Sequence, residues 1–348
     1  MDKRSFIKSL GIGLATLPLF GKSEAMDLAS QMAPLLKGNV LKAGDTIGII
    51  TPASALGDED AITLTKEVLT YFGFKVKEGK YIRQRYGNLA GTDDQRLEDL
   101  HDMFADKSVA GILCIRGGAG ASRLLGRIDY ELIKKNPKAL IGYSDITALI
   151  MAFQAKAGLV TFHGPVGTST WSNLVAKTFK EQLMDNQLLT YTNPAKKGDN
   201  IVQYKDRITT INPGIAEGKL LGGNLTLISG LCGSPYLPDF TGSILFLEEI
   251  NESPEKVDRM FCQLMNAGIL KQIKGFVFGK CTGCSPSGGY GSLNLDQILR
   301  DFIKPLQIPS YSGAVIGHID DQFLLPVGVQ ARIDATKGTI EILEKALV

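Results

Sequence analysis

The segment Val109-Ala110-Gly111-Ile112-Leu113-Cys114-Ile115-Arg116-Gly117-Gly118 begins as a continuous apolar run and ends abruptly in a charged, glycine-rich turn. Such a run is typical of a strand that is buried on both faces, as in parallel sheets. Similar runs occupy residues 45–51 and 139–142, and stretches with helical patterning occupy residues 60–72 and 146–157. Strands that alternate with helices predict a parallel sheet with helices on both faces.

The second half of the chain has a different texture. Residues 186–213 are polar and have no clear periodicity, which predicts a linker. Apolar runs and one helical stretch then follow, at residues 242–247, 255–267, 273–279 and 329–334. We therefore predict an N-terminal domain over residues 40–185, a linker over 186–213, and a second α/β domain, richer in β-structure, over 214–348.

Composition excludes several classes of protein. The 348 residues are 44% hydrophobic and 21% charged, which is ordinary for a folded globular chain. A net charge of +2 is too small to attract nucleic acid or an anionic membrane by itself. The chain has only three histidines, and Cys281-Thr282-Gly283-Cys284 has no second pair to complete a zinc site. We predict no metal, no cofactor and no nucleic-acid partner, and either loop cysteines or one local disulfide at residues 281–284.

Residues 1–25 have the pattern of an export signal. Lys3, Arg4 and Lys8 precede an apolar stretch that is too short to span a membrane, and small residues follow it. The run resembles a twin-arginine signal in which Lys3 replaces the first arginine. We therefore predict an exported, periplasmic protein without stable membrane insertion, whose mature chain has 34 residues of each charge. If the segment is instead an amphipathic helix of the folded protein, the protein is cytoplasmic.

Ser144 lies between a predicted buried strand and a predicted helix, in Gly142-Tyr143-Ser144-Asp145-Ile146-Thr147. A serine on such a turn stands above the sheet edge, where the helix N-terminus favours developing negative charge. The arrangement is analogous to a nucleophile elbow but lacks the G-x-S-x-G spacing. The alternative is that Ser144 or Asp145 simply caps the helix.

The turn Arg116-Gly117-Gly118-Ala119-Gly120 also follows a strand and precedes a helical stretch over residues 122–128. Glycines let backbone N–H groups approach a ligand closely, as an anion or oxyanion site requires. The turn does not match G-x-G-x-x-G and no Walker lysine follows it, which disfavours a nucleotide site.

Two histidines and two carboxylates complete the set of candidate residues. His318 lies in the segment 314–320 and is predicted at the end of a buried strand, either facing a cleft or as a satisfied core histidine. His163 follows an apolar strand and is predicted to have a structural or substrate-pocket role. Glu248 and Glu249 end the strand over 242–247, where one of them could orient a histidine base, as in a serine triad. The alternative is a pair of surface carboxylates.

Together these segments resemble the LD-carboxypeptidase family of serine peptidases, which also contains the microcin-immunity peptidases. The similarity spans roughly residues 41–343. Segments similar to the family lie, in the family's order, at 91–96, 100–106, 115–125, 136–147, 162–165, 222–225, 246–249, and 317–318 with 325–328. Their order is more specific than any single segment.

The resemblance implies a Ser–His–Glu triad of Ser144, His318 and Glu248, with Glu249 as the alternative acid. It implies a Rossmann-like N-terminal domain and a C-terminal swivelling β/α domain. It also implies that two copies of the chain form a homodimer and that the enzyme needs no metal.

By the same resemblance, backbone N–H groups of Asp145, Gly117 and Gly118 would form the oxyanion hole. Ala119 stands where the family commonly has an aromatic residue, which alters the shape of the substrate pocket.

The implied reaction is hydrolysis of the L,D-peptide bond that releases the terminal D-alanine from a murein tetrapeptide. Arg116 or a helix N-terminus would bind the free carboxylate of this muropeptide, and His163 would line the pocket. The alternatives are a hydrolase that inactivates a peptide-nucleotide antibiotic, and a muropeptide-binding protein that has lost turnover.

Overall fold

In the computed structural model, which describes residues 35–195, 198–285 and 291–348, the apolar run that begins at Val109 is an inner strand of a six-stranded sheet. The predicted export signal over residues 1–25 lies outside the described residues. The sheet has the spatial order β12-β5-β4-β3-β1-β2, and its strands are β1 (Thr46–Ile50), β2 (Lys75–Glu78), β3 (Val109–Cys114), β4 (Ala139–Gly142), β5 (Thr161–His163) and β12 (Leu325–Val327). The five strands from β1 to β5 are parallel, as predicted, and β12 is antiparallel.

Helices connect the parallel strands. The first half of the chain contains α1 (Asp60–Tyr71), α2 (Asp93–Ala105), α3 (Tyr130–Lys135), α4 (Thr147–Ala157), α5 (Asn173–Phe179), 3-10 turns at Ala121–Arg127 and Ser144–Ile146, and a π-helical turn at Lys180–Met184. A capping box begins α2, because Thr92 accepts a hydrogen bond from the Gln95 amide and Gln95 accepts one from the Thr92 amide. The predicted helix over 122–128 is the 3-10 turn.

A second, eight-stranded sheet has the order β6-β14-β13-β8-β9-β10-β11-β7. Its strands are β6 (Thr190–Thr192), β7 (Thr209–Asn212), β8 (Ile215–Asn224), β9 (Ile244–Ile250), β10 (Gly275–Thr282), β11 (Ser310–Ser312), β13 (Gln330–Asp334) and β14 (Thr339–Ile342). The four strands from β8 to β11 are parallel, and antiparallel strands flank them on both sides. The accompanying helices are α6 (Leu225–Gly230), α7 (Pro254–Asn266), α8 (Ile269–Gln272), α9 (Leu295–Phe302) and a 3-10 turn at Lys304–Leu306.

The structure differs from the sequence-based predictions in three places. The polar segment 186–213, predicted as a linker, contributes the edge strands β6 and β7. Edge strands need few apolar residues, so their pattern is weak. Strand β9 runs on to Ile250 and therefore includes Glu248 and Glu249. The apolar residues 314–319 form a largely buried loop instead of a strand, because Gly313 before them and Gly317 among them adopt positive φ angles of 96° and 118°.

The two sheets share one continuous apolar core, and residues 35–348 pack as one compact unit. Strand β12 adds to this continuity, since it comes from the C-terminal part of the chain and pairs with β5 of the first sheet. Within the described residues, no helix has both the length and the apolar character needed to cross a bilayer. Cys281 and Cys284 form a disulfide at the end of β10, which agrees with the local pairing expected as one alternative.

Candidate active site

Ser144 occupies a sharp turn between the end of β4 and the start of α4. Its φ angle is +62°, in the left-handed region that costs a non-glycine residue roughly 1–2 kcal/mol. Neither this turn nor α4 has a side-chain cap, so the alternative that Ser144 or Asp145 caps the helix is wrong. Among the described residues, the Ser144 hydroxyl has no hydrogen-bond partner. A strained, unpaired serine at the carboxyl edge of a parallel sheet is placed for nucleophilic attack.

The glycine turn after β3 lies directly against this serine. A Cβ atom at Gly117 would stand 2.9 Å from Ser144 Cβ and 3.2 Å from the Asp145 nitrogen, so no side chain fits there. Gly118 has a φ angle of +110°, and a Cβ atom there would collide with the side chain of Ser54. Ser54 Oγ accepts a hydrogen bond from the Ala119 amide at 2.9 Å. The turn is therefore held beside Ser144 by contacts that only glycine permits.

Two buried charged residues hydrogen-bond to the end of the glycine turn, at Gly120 and Ala121. Asp145 Oδ2 accepts a hydrogen bond from the Ala121 amide at 2.7 Å. Burial raises the pKa of Asp145. Arg96, whose side chain is fully buried, donates to the carbonyls of Gly120 and Pro52 and pairs with Asp93. The serine turn, the glycine turn and the loop after β1 are thus bound to one another by hydrogen bonds.

His318 lies on the loop after β11, and a buried carboxylate orients its ring. His318 Nδ1 lies 2.8 Å from Glu248 Oε2, and the Glu248 side chain is fully buried. A Cβ atom at Gly317 would come within 2.8 Å of the same oxygen, so glycine is required beside the pair. The Thr282 hydroxyl donates to the His318 carbonyl at 3.0 Å. A carboxylate on Nδ1 leaves Nε2 of the imidazole as the nitrogen that can accept a proton.

Glu249 has a different set of partners. Its carboxylate accepts hydrogen bonds from the Thr226 amide and hydroxyl at 2.7 and 2.8 Å, and from the Asn224 side chain at 3.1 Å. Burial raises the pKa of Glu249. Glu249 therefore holds the start of α6, while Glu248 faces the histidine, because consecutive residues of a strand point to opposite faces. The sequence alone could not decide which of the two glutamates lies beside His318, and the contacts show that it is Glu248.

Tyr143 connects the serine turn to the histidine loop. Its ring centroid lies 4.7 Å from that of His318, and it immediately precedes Ser144. The loop after His318 is also tied to the first half of the chain, since Thr170 Oγ1 donates to Asp320 Oδ1 at 2.9 Å. These contacts bring the predicted nucleophile and the predicted base to one site, although they come from opposite halves of the chain.

Two further predicted site residues lie close to this centre. Arg116 precedes the glycine turn, is half-buried, and donates one hydrogen bond to the Ala55 carbonyl at 3.0 Å. The other N–H groups of Arg116 have no carboxylate partner in the described part of the chain. His163 is fully buried beneath the site, so the structure gives it a core position and no exposed surface for a substrate.

Sequence reasoning missed several residues that shape the site. Three of them carry no sequence motif that would predict a role, because their roles depend on contacts between distant segments: Ser54, Tyr143 and Thr282. Arg96 could have been found, because an arginine one residue after the Thr92–Gln95 capping box lies on the first turns of a helix that faces the core. In the described ranges 35–195, 198–285 and 291–348, no three His, Cys, Asp or Glu side chains gather as metal ligands.

Comparison with known proteins agrees with this architecture. Residues 47–164 match the LD-carboxypeptidase N-terminal domain, and residues 217–333 match the LD-carboxypeptidase C-terminal domain. The probable murein peptide carboxypeptidase of Bacillus subtilis is 38% identical over 311 residues, which cover 88% of this chain and 94% of that protein. The murein tetrapeptide carboxypeptidase of Pseudomonas aeruginosa is 30% identical over 301 residues, covering 84% of this chain and 94% of that protein.

Solved structures give the same result. The structure of MccF in complex with glutamyl sulfamoyl guanosine aligns with a TM-score of 0.82 at 29% identity, covering 90% of this chain and all of that one. The muramoyltetrapeptide carboxypeptidase of Oxalobacter formigenes aligns with a TM-score of 0.73 at 30% identity, covering 85% and 97%. The chain belongs to the LD-carboxypeptidase family.

Proposed function

We propose that this protein is a serine carboxypeptidase that hydrolyses the L,D-peptide bond of murein tetrapeptides and releases the terminal D-alanine. The observation that carries the proposal is the buried 2.8 Å contact between Glu248 and His318 beside the strained Ser144 turn. A triad of this kind makes serine nucleophilic at neutral pH without a metal. The names of the relatives from B. subtilis and P. aeruginosa support the murein substrate.

In the proposed acylation step, Ser144 Oγ attacks the carbonyl carbon of the L,D-bond while His318 Nε2 accepts the hydroxyl proton. Collapse of the tetrahedral intermediate breaks the C–N bond, and His318 returns the proton to the leaving amine of D-alanine. A water molecule then attacks the acyl-enzyme with the same base assistance, which releases the tripeptide and restores Ser144. Because the Ser144 hydroxyl has no partner among the residues that the structure describes, its hydrogen bond to His318 would form when substrate binds.

The oxyanion of the intermediate would lie against the glycine turn. The positions of Gly117 and the Asp145 amide beside Ser144 support donors from Asp145, Gly117 and Gly118. The loss of one donor of this type costs about 10²–10³ in rate. Arg116 stands next to this turn, and within the described part of the chain its remaining N–H groups have no carboxylate partner, which suits the terminal carboxylate of the substrate.

The direct test compares the parent protein with Ser144→Ala on a purified murein tetrapeptide, with the products analysed by mass spectrometry. The parent should release D-alanine and leave the tripeptide, whereas Ser144→Ala should release none at an unchanged melting temperature. Ser229→Ala is a matched control, because Ser229 lies on α6 and only its hydroxyl contact with the Thr226 carbonyl is lost. Turnover retained in Ser144→Ala would contradict the mechanism, and its absence from the parent would contradict the substrate.

A second candidate substrate is a peptide-nucleotide antibiotic. The MccF structure in complex with glutamyl sulfamoyl guanosine aligns with the higher of the two TM-scores, 0.82 against 0.73, which favours testing this class. Incubation of the parent with an aminoacyl sulfamoyl nucleoside beside the murein tetrapeptide distinguishes the two, because only one should be turned over efficiently. Binding of the murein tetrapeptide by the parent without turnover would point to a muropeptide-binding role.

We also propose that residues 1–25 direct export to the periplasm and that the protein forms a homodimer. The charged start and short apolar stretch of this segment support export. A fusion of residues 1–40 to a periplasmic reporter, compared with the same fusion carrying Lys3→Gln and Arg4→Gln, tests the first point. Light scattering of the purified mature chain tests the second.

A further inference from the structure

A disulfide closes the turn at the end of β10. Cys281 and Cys284 are bonded to each other, and Thr282 and Gly283 stand between them. Both cysteines are partly exposed, and Gly283 is exposed. A reductant in solution can therefore reach the two sulfur atoms, since the rate of thiol–disulfide exchange depends on such access.

The backbone holds this end of β10 less firmly than the rest of the strand. Strand β10 pairs with β9 in regular register as far as Phe278, and the register shifts before Cys281. Such an irregularity disrupts the ladder of hydrogen bonds locally. Two residue pairs follow the shift, and the Asn251 amide donates to the Thr282 carbonyl at 2.7 Å. The covalent link therefore restrains a strand end that has few backbone contacts of its own.

The same strand end contacts the loop that carries His318. The Thr282 hydroxyl, inside the closed turn, donates to the His318 carbonyl at 3.0 Å. One residue before the disulfide, the Lys280 amide donates to the Ile316 carbonyl at 2.9 Å. A Cβ atom at Gly279 would lie 2.4 Å from that carbonyl oxygen, so the loop packs directly on β10. The backbone of the proposed base is thus attached to the turn that the disulfide closes.

We propose that the redox state of the Cys281–Cys284 disulfide regulates the enzyme through the position of His318. One thiolate of a dithiol reductant attacks a cysteine sulfur and breaks the S–S bond, and its second thiolate then attacks the mixed disulfide. The products are two cysteine thiols, which take up the two protons, and an oxidised, cyclic reductant. The turn loses its cross-link, so Thr282 is no longer held at its hydrogen bond to the His318 carbonyl.

This regulation rests on the proposed triad and adds a redox-sensitive site to it. Disulfides persist in oxidising compartments such as the bacterial periplasm, whereas the cytosol keeps thiols reduced. The coupling therefore gives the enzyme its full activity only where the disulfide can form. Thr282 does not touch the substrate, and it acts as a positioning residue through the backbone of His318.

The first test measures the release of D-alanine from a murein tetrapeptide before and after treatment with dithiothreitol. Reduction should lower kcat by about 3–10-fold with KM nearly unchanged, as the loss of one hydrogen bond would. The double variant Cys281→Ser with Cys284→Ser should be as slow as the reduced parent and should not respond to dithiothreitol. The matched control is Cys232→Ser with Cys262→Ser, which removes two free cysteines and should respond like the parent.

A further comparison shows whether the effect passes through Thr282. Thr282→Val already lacks the hydroxyl that donates to the His318 carbonyl. Reduction of this variant should therefore lower kcat by less than about twofold, because effects that share one contact do not add. Independent effects would instead multiply.

Hydrogen exchange gives a readout that does not require the substrate to be correct. The amides of Asn251 and Lys280 donate to the carbonyls of Thr282 and Ile316, which protects them from exchange in the oxidised protein. Reduction should speed the exchange of both amides at least about tenfold, because the strand end opens locally. The Phe276 amide, which donates to the Pro309 carbonyl before the register shift, is the internal control and should not change.

Two results would overturn the inference. One is a folded, reduced parent whose kcat and hydrogen exchange match those of the oxidised protein. The other is a fall in kcat on reduction that is as large in Thr282→Val as in the parent, because the disulfide would then act by a route other than Thr282. If the oxidised parent releases no D-alanine but reduction speeds exchange at Asn251 and Lys280, the substrate proposal fails and the redox control of the loop stands.

Discussion

Glu248 and Glu249 are consecutive residues of β9 with carboxylates in different environments: Glu248 Oε2 lies 2.8 Å from His318 Nδ1, and Glu249 binds the amide of Thr226. The pleat of the strand produces this division, because it sends neighbouring side chains to opposite faces. The proposed triad acid and a carboxylate that holds the start of α6 are thus adjacent in the sequence. Paired substitutions can separate the two functions.

We expect Glu248→Gln to lower kcat/KM by about 10²–10⁴ with little loss of stability, because the amide no longer fixes the tautomer of His318. Glu249→Gln should instead lower the free energy of unfolding by about 1–3 kcal/mol, because a buried hydrogen-bonded acceptor is replaced. Steady-state kinetics and urea denaturation of both variants check this expectation. Equal kinetic losses in the two folded variants would argue against Glu248 as the triad acid.

Gly117 should tolerate no side chain. Gly117→Ala places a Cβ atom 2.9 Å from Ser144 Cβ, which must displace either the nucleophile or the oxyanion donors. We expect a fall in kcat of about 10²-fold or more, comparable to the loss of an oxyanion donor. Gly230→Ala is the control, because a Cβ atom at the end of α6 meets nothing within 4 Å. Similar activity in the two variants would contradict the proposed packing against Ser144.

Thr282 should affect the base through the backbone. Thr282→Val removes the hydroxyl that donates to the His318 carbonyl and keeps the branched shape of the side chain. We expect kcat to fall by roughly 3–10-fold with KM nearly unchanged, which corresponds to a hydrogen bond of about 1 kcal/mol. Thr282→Ser retains the donor and should stay close to the parent. A Thr282→Ser protein as slow as Thr282→Val would assign the effect to packing.

Asp99 should make stability depend on pH. It accepts hydrogen bonds from the Tyr81 amide, and burial raises the pKa of Asp99 to about 6. The raised pKa means that Asp99 binds a proton more tightly in the folded state than in the unfolded chain, where an aspartate has a pKa of about 4. The contribution of Asp99 is therefore fully present below about pH 4 and is lost as the pH rises through 6.

Urea denaturation of the parent and of Asp99→Asn at several pH values from 4 to 7 measures this contribution. The difference in unfolding free energy between the two proteins should change by about 1–3 kcal/mol across that range. A constant difference would show that Asp99 is not linked to folding in this way. Asp60→Asn is the control, because Asp60 is exposed on the first turn of α1.

The local patterns of the sequence predicted the central strands and helices well. The runs at Val109 and Ala139 became β3 and β4, because strands buried on both faces need uninterrupted apolar residues. The edge strands β6 and β7 were not predicted, since pairing with a neighbouring strand defines them more than composition does. The loop over 314–319 was predicted as a strand because burial alone produces an apolar run in either conformation.

The candidate site was predictable to a lesser degree. Ser144 and the glycine turn follow strands, so their shared edge could be inferred from topology. The choice between Glu248 and Glu249 required the contacts with His318 and Thr226, which lie far away in the chain. The complete burial of His163 could not be predicted from its sequence neighbours either, because it depends on the residues that other segments place around it, such as Phe246 and Tyr143.

The pairing of β12 with β5 has a consequence for dissecting this protein. His318 lies seven residues before Leu325, which pairs with His163. A short stretch of chain therefore joins the proposed base to the sheet that carries the proposed nucleophile. A fragment ending near residue 185 would expose the open edge of β5, and unpaired edges of this kind template aggregation. The two halves are therefore poor candidates for separate expression, and complementation from split fragments should require that Leu325–Val327 travel with the first half.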